Sequence, residues 1–175
     1  NVIMMHGGRL GLLDYGQCVQ LDPVQQARLA ELTVLLAKGN AVHGSEALAR
    51  AASAIGIRTR WSEHASLERL AKLFFDRDAG ASPAHVIRMV NKCDPIVTLP
   101  ADELILASRV SLLLRGSSQL MGGERGLSVS RAWASHARRC CERQPVASQA
   151  VLCKRHRRVA RGLSTDDGSA ALVTD

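Results

Sequence analysis

Asn1-Val2-Ile3-Met4-Met5-His6-Gly7-Gly8-Arg9-Leu10-Gly11-Leu12-Leu13-Asp14-Tyr15-Gly16 is the stretch whose reading decides the fold. Apolar runs flank His6-Gly7-Gly8, and paired glycines accept the positive φ that a tight turn needs. The segment therefore predicts a β-hairpin. With the turn centred between Gly7 and Gly8, position i pairs with position 15 − i, and Asn1 falls across from Asp14 at the open end. An amide and a carboxylate meeting at a strand end make a donor set for a hard cation such as Mg²⁺, which takes a few protein oxygens and leaves its other positions to water and phosphate.

Taken alone, an Asp-Tyr-Gly after a strand reads as a plain turn. Its surroundings say more. Asp14-Tyr15-Gly16 resembles the Asp-Phe-Gly element of protein kinases, and Asn1, thirteen positions earlier, stands where the last residue of a kinase catalytic loop stands. The longer string Arg9-Leu10-Gly11-Leu12-Leu13-Asp14-Tyr15-Gly16-Gln17 resembles the UbiB/AarF family of atypical kinase-like ATPases. Ser111-Leu112-Leu113-Leu114-Arg115-Gly116 and Val129-Ser130-Arg131-Ala132-Trp133 are similar to the helical C-terminal part of the same family.

The resemblance covers residues 1 to about 143 and implies a mainly α fold: a protein-kinase-like C-lobe fragment, with an N-terminal β-hairpin followed by a helical domain. It implies ATP and Mg²⁺ as cofactors, with Asp14 and Asn1 as metal and nucleotide-binding residues. It further implies a role in prenylquinone metabolism in a plastid or mitochondrion. The phosphate-binding lysine, its partner glutamate and the acidic catalytic-loop residue of a kinase do not occur in these 175 residues, nor do the family's Lys-x-Gly-Gln and Glu-x-Asp motifs. The chain is accordingly expected to be the back half of such an enzyme and inactive in isolation. A non-catalytic helical scaffold or pseudokinase, and a basic nucleic-acid-binding helical protein, are the alternatives.

Composition agrees with helical packing. The chain is 46% hydrophobic but only 3% aromatic, so aliphatic and alanine-rich contacts must build the core. The net charge of +7 comes from residues 138–161, which hold eight Lys/Arg against the one acid Glu142; elsewhere fifteen basic and fifteen acidic residues balance. Lys154-Arg155-His156-Arg157-Arg158 suits phosphates or anionic lipid headgroups, but with no interleaved aromatics to stack on bases, nucleic acid is the weaker match. Residues 144–175 read as a basic, disordered tail outside the resemblance. No run of 18 uncharged apolar residues predicts a membrane span. Five cysteines, without a C-x-x-C spacing, read as free thiols. The six histidines form no metal-binding pattern, and there is no Walker A, G-x-G-x-x-G or G-x-S-x-G segment.

Along the chain, Asp22-Pro23 predicts a helix start, with Leu29, Leu32, Leu35 and Leu36 at helical spacing and Gly39-Asn40 as the stop. It begins where an activation segment would lie, and no Ala-Pro-Glu follows. Ser45 and Ser62 are expected N-caps of two further helices, with Trp61 between them as a packing residue. Arg77–Pro83 reads as a loop, Pro83 as the start of a helical turn, and Asp94-Pro95 as a forced extension. Pro100-Ala101-Asp102-Glu103 opens a helix expected to end near Arg115-Gly116. Being apolar nearly all round, that helix is expected to be the central core helix. Gly122-Gly123 marks a loop, and Ser128 or Ser130 caps a last helix carrying Trp133.

Overall fold

The computed structural model describes residues 2–39, 46–76, 82–121 and 128–143. It opens on the hairpin, strands β1 (Val2–Met4) and β2 (Leu10–Leu12) joined by a 3-10 turn at His6–Gly8. The pair is antiparallel, but its register differs from expectation: Val2 faces Leu12, Ile3 faces Gly11 and Met4 faces Leu10, so i pairs with 14 − i. The cause is the turn. Met5 and Arg9 continue the pairing beyond the strand ends, Met5 N–H donating to Arg9 O at 2.7 Å, so the turn itself takes the three residues His6–Gly8 rather than two, and Gly7 and Gly8 both take left-handed backbone at φ 77 and 73. The 15 − i register that set Asn1 opposite Asp14 is therefore not the one formed, and Asn1 itself lies outside the described residues.

Helix α1 (Pro23–Ala37) starts as its sequence predicts. Asp22 accepts from the amides of Val24 and Gln25 at 2.7 and 2.8 Å, and Gln25 Oε1 accepts from Asp22 N–H in return, a complete capping box. The expected cap Ser45 of α2 (Glu46–Ala54) lies outside the described residues. A two-residue strand β3 (Arg58–Thr59) leads into α3 (His64–Phe75), whose N-cap position is Glu63 rather than the expected Ser62; Ser62 instead holds left-handed backbone at φ 55. Helix α4 (Pro83–Cys93) is longer than the single turn expected. Ser82 Oγ accepts from His85 N–H at its start. Strand β4 (Ile96–Thr98) follows the predicted extension at Asp94-Pro95 and pairs with β3, a ladder the sequence did not announce.

The core is built on α3. Leu67, Leu70, Ala71 and Leu73 pack with Leu48 and Ala52 of α2, Leu32 and Leu36 of α1, Val86 and Val90 of α4, and Ile57. Each fully buried leucine or isoleucine contributes on the order of 2 kcal/mol. Helix α5 (Asp102–Leu120) is not the central helix. Its buried stripe is Leu104, Ser108 and Ser111, while Val110, Leu113 and Leu120 are exposed, Leu120 at 91%. Two serines on the inward face make it a flank packed on α3, and Gly116 does not stop it. Trp61 is likewise not a packing residue: it is 59% exposed, with the Arg60 guanidinium 5.8 Å from its ring centroid.

Helix α6 (Val129–Arg143) packs along α1. Ser128 Oγ accepts from Arg131 N–H at its start, as expected, and Asp76 at the end of α3 accepts from Ser128 Oγ and Ser130 N–H. The chain is thus mainly helical with a small hairpin at one end, and no described helix is long and apolar enough to cross a membrane. The loops at residues 77–81 and 122–127 and the tail at residues 144–175 lie outside the described residues.

Candidate functional site

Asp14 lies two residues beyond β2, exposed, where the hairpin gives way to the segment leading to α1. Its Oδ1 accepts a hydrogen bond from Gly16 N–H at 2.7 Å, the local bond typical of Asp in a turn. This contact explains the Asp-x-Gly pattern physically. A Cβ at position 16 would sit 3.1 Å from that same oxygen, so a side chain there would require the carboxylate to give by a few tenths of an ångström. Cys18 N–H then donates to Tyr15 O at 2.9 Å, turning the chain again.

As a Mg²⁺ ligand the arrangement is suitable but partial. One exposed carboxylate fits a cation that keeps several waters and borrows phosphate oxygens from its nucleotide. Among the described residues no group of three His, Cys, Asp or Glu gathers around it or anywhere else. Its sequence partner Asn1 is outside the described residues.

The hairpin that carries Asp14 has an unusual surface. Val2, Met4, Leu10 and Leu12 occupy one face of the two-stranded sheet and all are exposed; Leu13 and Tyr15 extend the patch. On the other face Ile3 and Met5, both exposed, close over Gly11 so tightly that a Cβ there would meet Ile3 Cγ1 at 3.0 Å. Two strands alone bury too little to be stable in water.

Two further features were missed in the sequence. The first is Asp94, read there only as half of a chain-extending Asp-Pro. It is fully buried, and its two oxygens accept from the amides of Trp61 and Glu63 at 2.8 and 2.9 Å. The left-handed residue between them, Ser62, lets these two N–H groups converge on one carboxylate. Burial works against the charge, but the Thr59 hydroxyl beside it and the two backbone amides outweigh burial and hold the carboxyl below its usual value. Thr59 Oγ1 meets no partner in full hydrogen-bond geometry, so the two amides are the firmer anchors. With both oxygens engaged inside the fold, Asp94 is a structural anion and not a catalytic one.

The second feature is an open groove of about 250 Å³ between α1 and α6, floored by Leu21, Leu29, Ala30, Trp133, Ala137 and Cys140. Its sequence signal was the pairing of helical spacings 26-29-33 with 133-136-140, which the reading of each helix by itself did not bring together. Cys140 and Cys141 are half-buried free thiols, and Cys18 and Cys93 are exposed ones. Burial pushes the Cys141 thiol up, with the neighbouring charges of Cys140 and Glu31 adding to the effect. On the outer side of α6, Arg131, Arg138, Arg139 and Arg143 are exposed; the salt bridges found among the described residues, Glu46–Arg50 and Glu68–Lys72, involve none of them.

Compared with protein-family models, curated proteins and solved structures, the chain matches none.

Proposed function

We propose that the chain is the rear part of a kinase-like, Mg·ATP-dependent phosphotransferase or ATPase of the UbiB/AarF type, with Asp14 its metal-holding carboxylate. The observation that supports this reading most is the position of Asp14. It is exposed, tied back to Gly16 at the exit of an antiparallel hairpin, and followed by a helical body. The uncovered apolar face of that hairpin suits a fold in which a nucleotide-clamping lobe lies against it. Bound Mg²⁺ would neutralise charge on the transferring phosphoryl group, and Asp14 would fix the ion's position. A prenylquinone-linked substrate and a plastid or mitochondrial setting belong to the same proposal and rest on the likeness alone.

A helical scaffold that turns nothing over is the competing reading. One experiment separates the two. In the protein joined to a front half bearing the lysine, glutamate and catalytic-loop acid, Asp14→Ala should abolish Mg²⁺-dependent ATP binding or turnover while leaving the thermal midpoint in place. Undiminished turnover in Asp14→Ala overturns the assignment of that residue. Absence of nucleotide binding in the unsubstituted protein overturns the enzyme reading and leaves the scaffold.

A further inference from the structure

The groove between α1 and α6 is apolar, open to solvent, and bordered by the helix from which the rest of the chain departs. The two helices run antiparallel. A Cβ at Gly39, just past α1, would lie 3.6 Å from Arg131 Nη2 near the start of α6, and Glu31 is close enough for its charge to act on Cys141 near the end of α6. The C-terminal end of α6 therefore points along α1 toward Leu21 and Gln26, which line the same groove as Cys140. Arg143, the last described residue of α6, stands about one turn beyond Cys140 of the groove wall.

The composition of that departing chain matches the lining. Gln144-Pro145-Val146-Ala147-Ser148-Gln149-Ala150-Val151-Leu152-Cys153 is ten residues without a charge, set between Arg143 and the cluster Lys154-Arg155-His156-Arg157-Arg158. By sequence, Pro145 lacks the N–H that a helical ladder uses and disfavours the α region for the residue before it. Reach is ample. Trp133 to Cys140 spans about 10 Å along α6 at 1.5 Å per residue, and ten extended residues cover about 33 Å. A basic segment of this length with an uncharged, valine- and leucine-bearing lead is suited to laying its apolar part in the groove and leaving its cations in water.

We propose that the groove between α1 and α6 is a docking site for the chain's own residues 144–153, with Val146, Val151 and Leu152 seated against Leu21, Leu29 and Trp133. The segment then shields Cys140 and links the position of the basic cluster to the end of the helical body. This inference does not depend on the proposed activity.

Cys140, on the groove wall, is the reporter. Its alkylation by iodoacetamide is followed by tandem mass spectrometry in three proteins: the full chain, the chain ending at Arg143, and the full chain carrying Val146→Asp, Val151→Asp and Leu152→Asp. Circular dichroism and the thermal midpoint establish that all three are folded alike. The expected result is slow alkylation in the full chain and equally fast alkylation in the other two. Equal rates in the full and shortened chains overturn the proposal. So does protection that survives the triple substitution, since shielding would then not come from seated apolar side chains. Protection that grows with protein concentration overturns it as well, by assigning the groove to the tail of a second copy.

Discussion

Strands β1 and β2 align three residues with three and leave every large apolar side chain of the pair exposed, whereas β3 and β4 align only two, with an irregularity between them, and sit against the core. The shorter ladder is held from outside itself. Asp94 reaches from the end of α4 to the amides of Trp61 and Glu63, Arg60 N–H donates to Pro95 O at 2.8 Å, and Ile57 just ahead of β3 is fully buried. The longer ladder has a well-formed turn, but its side chains stay exposed among the described residues. Ladder length is therefore a poor guide to which strand pair this fold depends on; attachment to the core is the better one.

The comparison can be broken by mutation. Leu70→Ala, at the centre of α3 and 0% exposed, should cost the most, about 3–4 kcal/mol from lost transfer and an unfilled cavity; chemical denaturation measures it. Asp94→Ala should cost about 3 kcal/mol, because two backbone amides lose charge-assisted bonds to a buried carboxylate and the β3–β4 corner loses its pin. Acid should have a related effect on the unsubstituted protein. The folded carboxyl of Asp94 titrates below its ordinary value of 3.8, so its stabilisation is complete above that value and is lost as pH falls from there through the lower folded value. Thermal midpoints of the wild type and Asp94→Ala should thus converge on strong acidification, and a constant gap would mean that the charge contributes nothing.

Asp22→Ala should cost about 1 kcal/mol by uncapping α1. At the bottom of the scale, Leu12→Ser on the 56% exposed hairpin face should change stability by less than about 0.5 kcal/mol, as surface substitutions do. A loss from Leu12→Ser approaching that of Leu70→Ala would show the hairpin packed into the body, and the contrast between the two strand pairs would fall.

How far the sequence could be read follows the same division between local and distant causes. The capping box at Asp22, the glycine turn at Gly7-Gly8, the cap at Ser128 and the extension at Asp94-Pro95 are determined by neighbours a few residues away, and each was readable. The hairpin register was not, because a two- or three-residue connection through His6-Gly7-Gly8 satisfies the same glycines. Nor was the rank of α5. Its leucines predict burial all round, but which side faces α3 is settled by a stripe of small residues, Ser108 and Ser111, whose size and not polarity admits close packing. The role of Asp94 needs partners more than thirty residues away, and no spacing rule exposes it. At the candidate site the Asp-x-Gly pattern was readable because Asp14 and Gly16 make their own contact. The apolar face beside it became evident only when the helical body was seen to leave it bare.

The packing of α1 against α6 has a consequence for the order in which the molecule is made. These are the first and last of the described helices, so their contact joins helices far apart in sequence, and contacts of that kind form slowly because the loop between them must first be closed. A chain emerging from the ribosome leaves the α6-facing side of α1, Leu29 and Ala30 included, without its partner until α6 has followed, and it is then most open to chaperones and to aggregation. Synonymous changes that slow translation before Val129 should therefore lower the soluble yield of an otherwise identical protein.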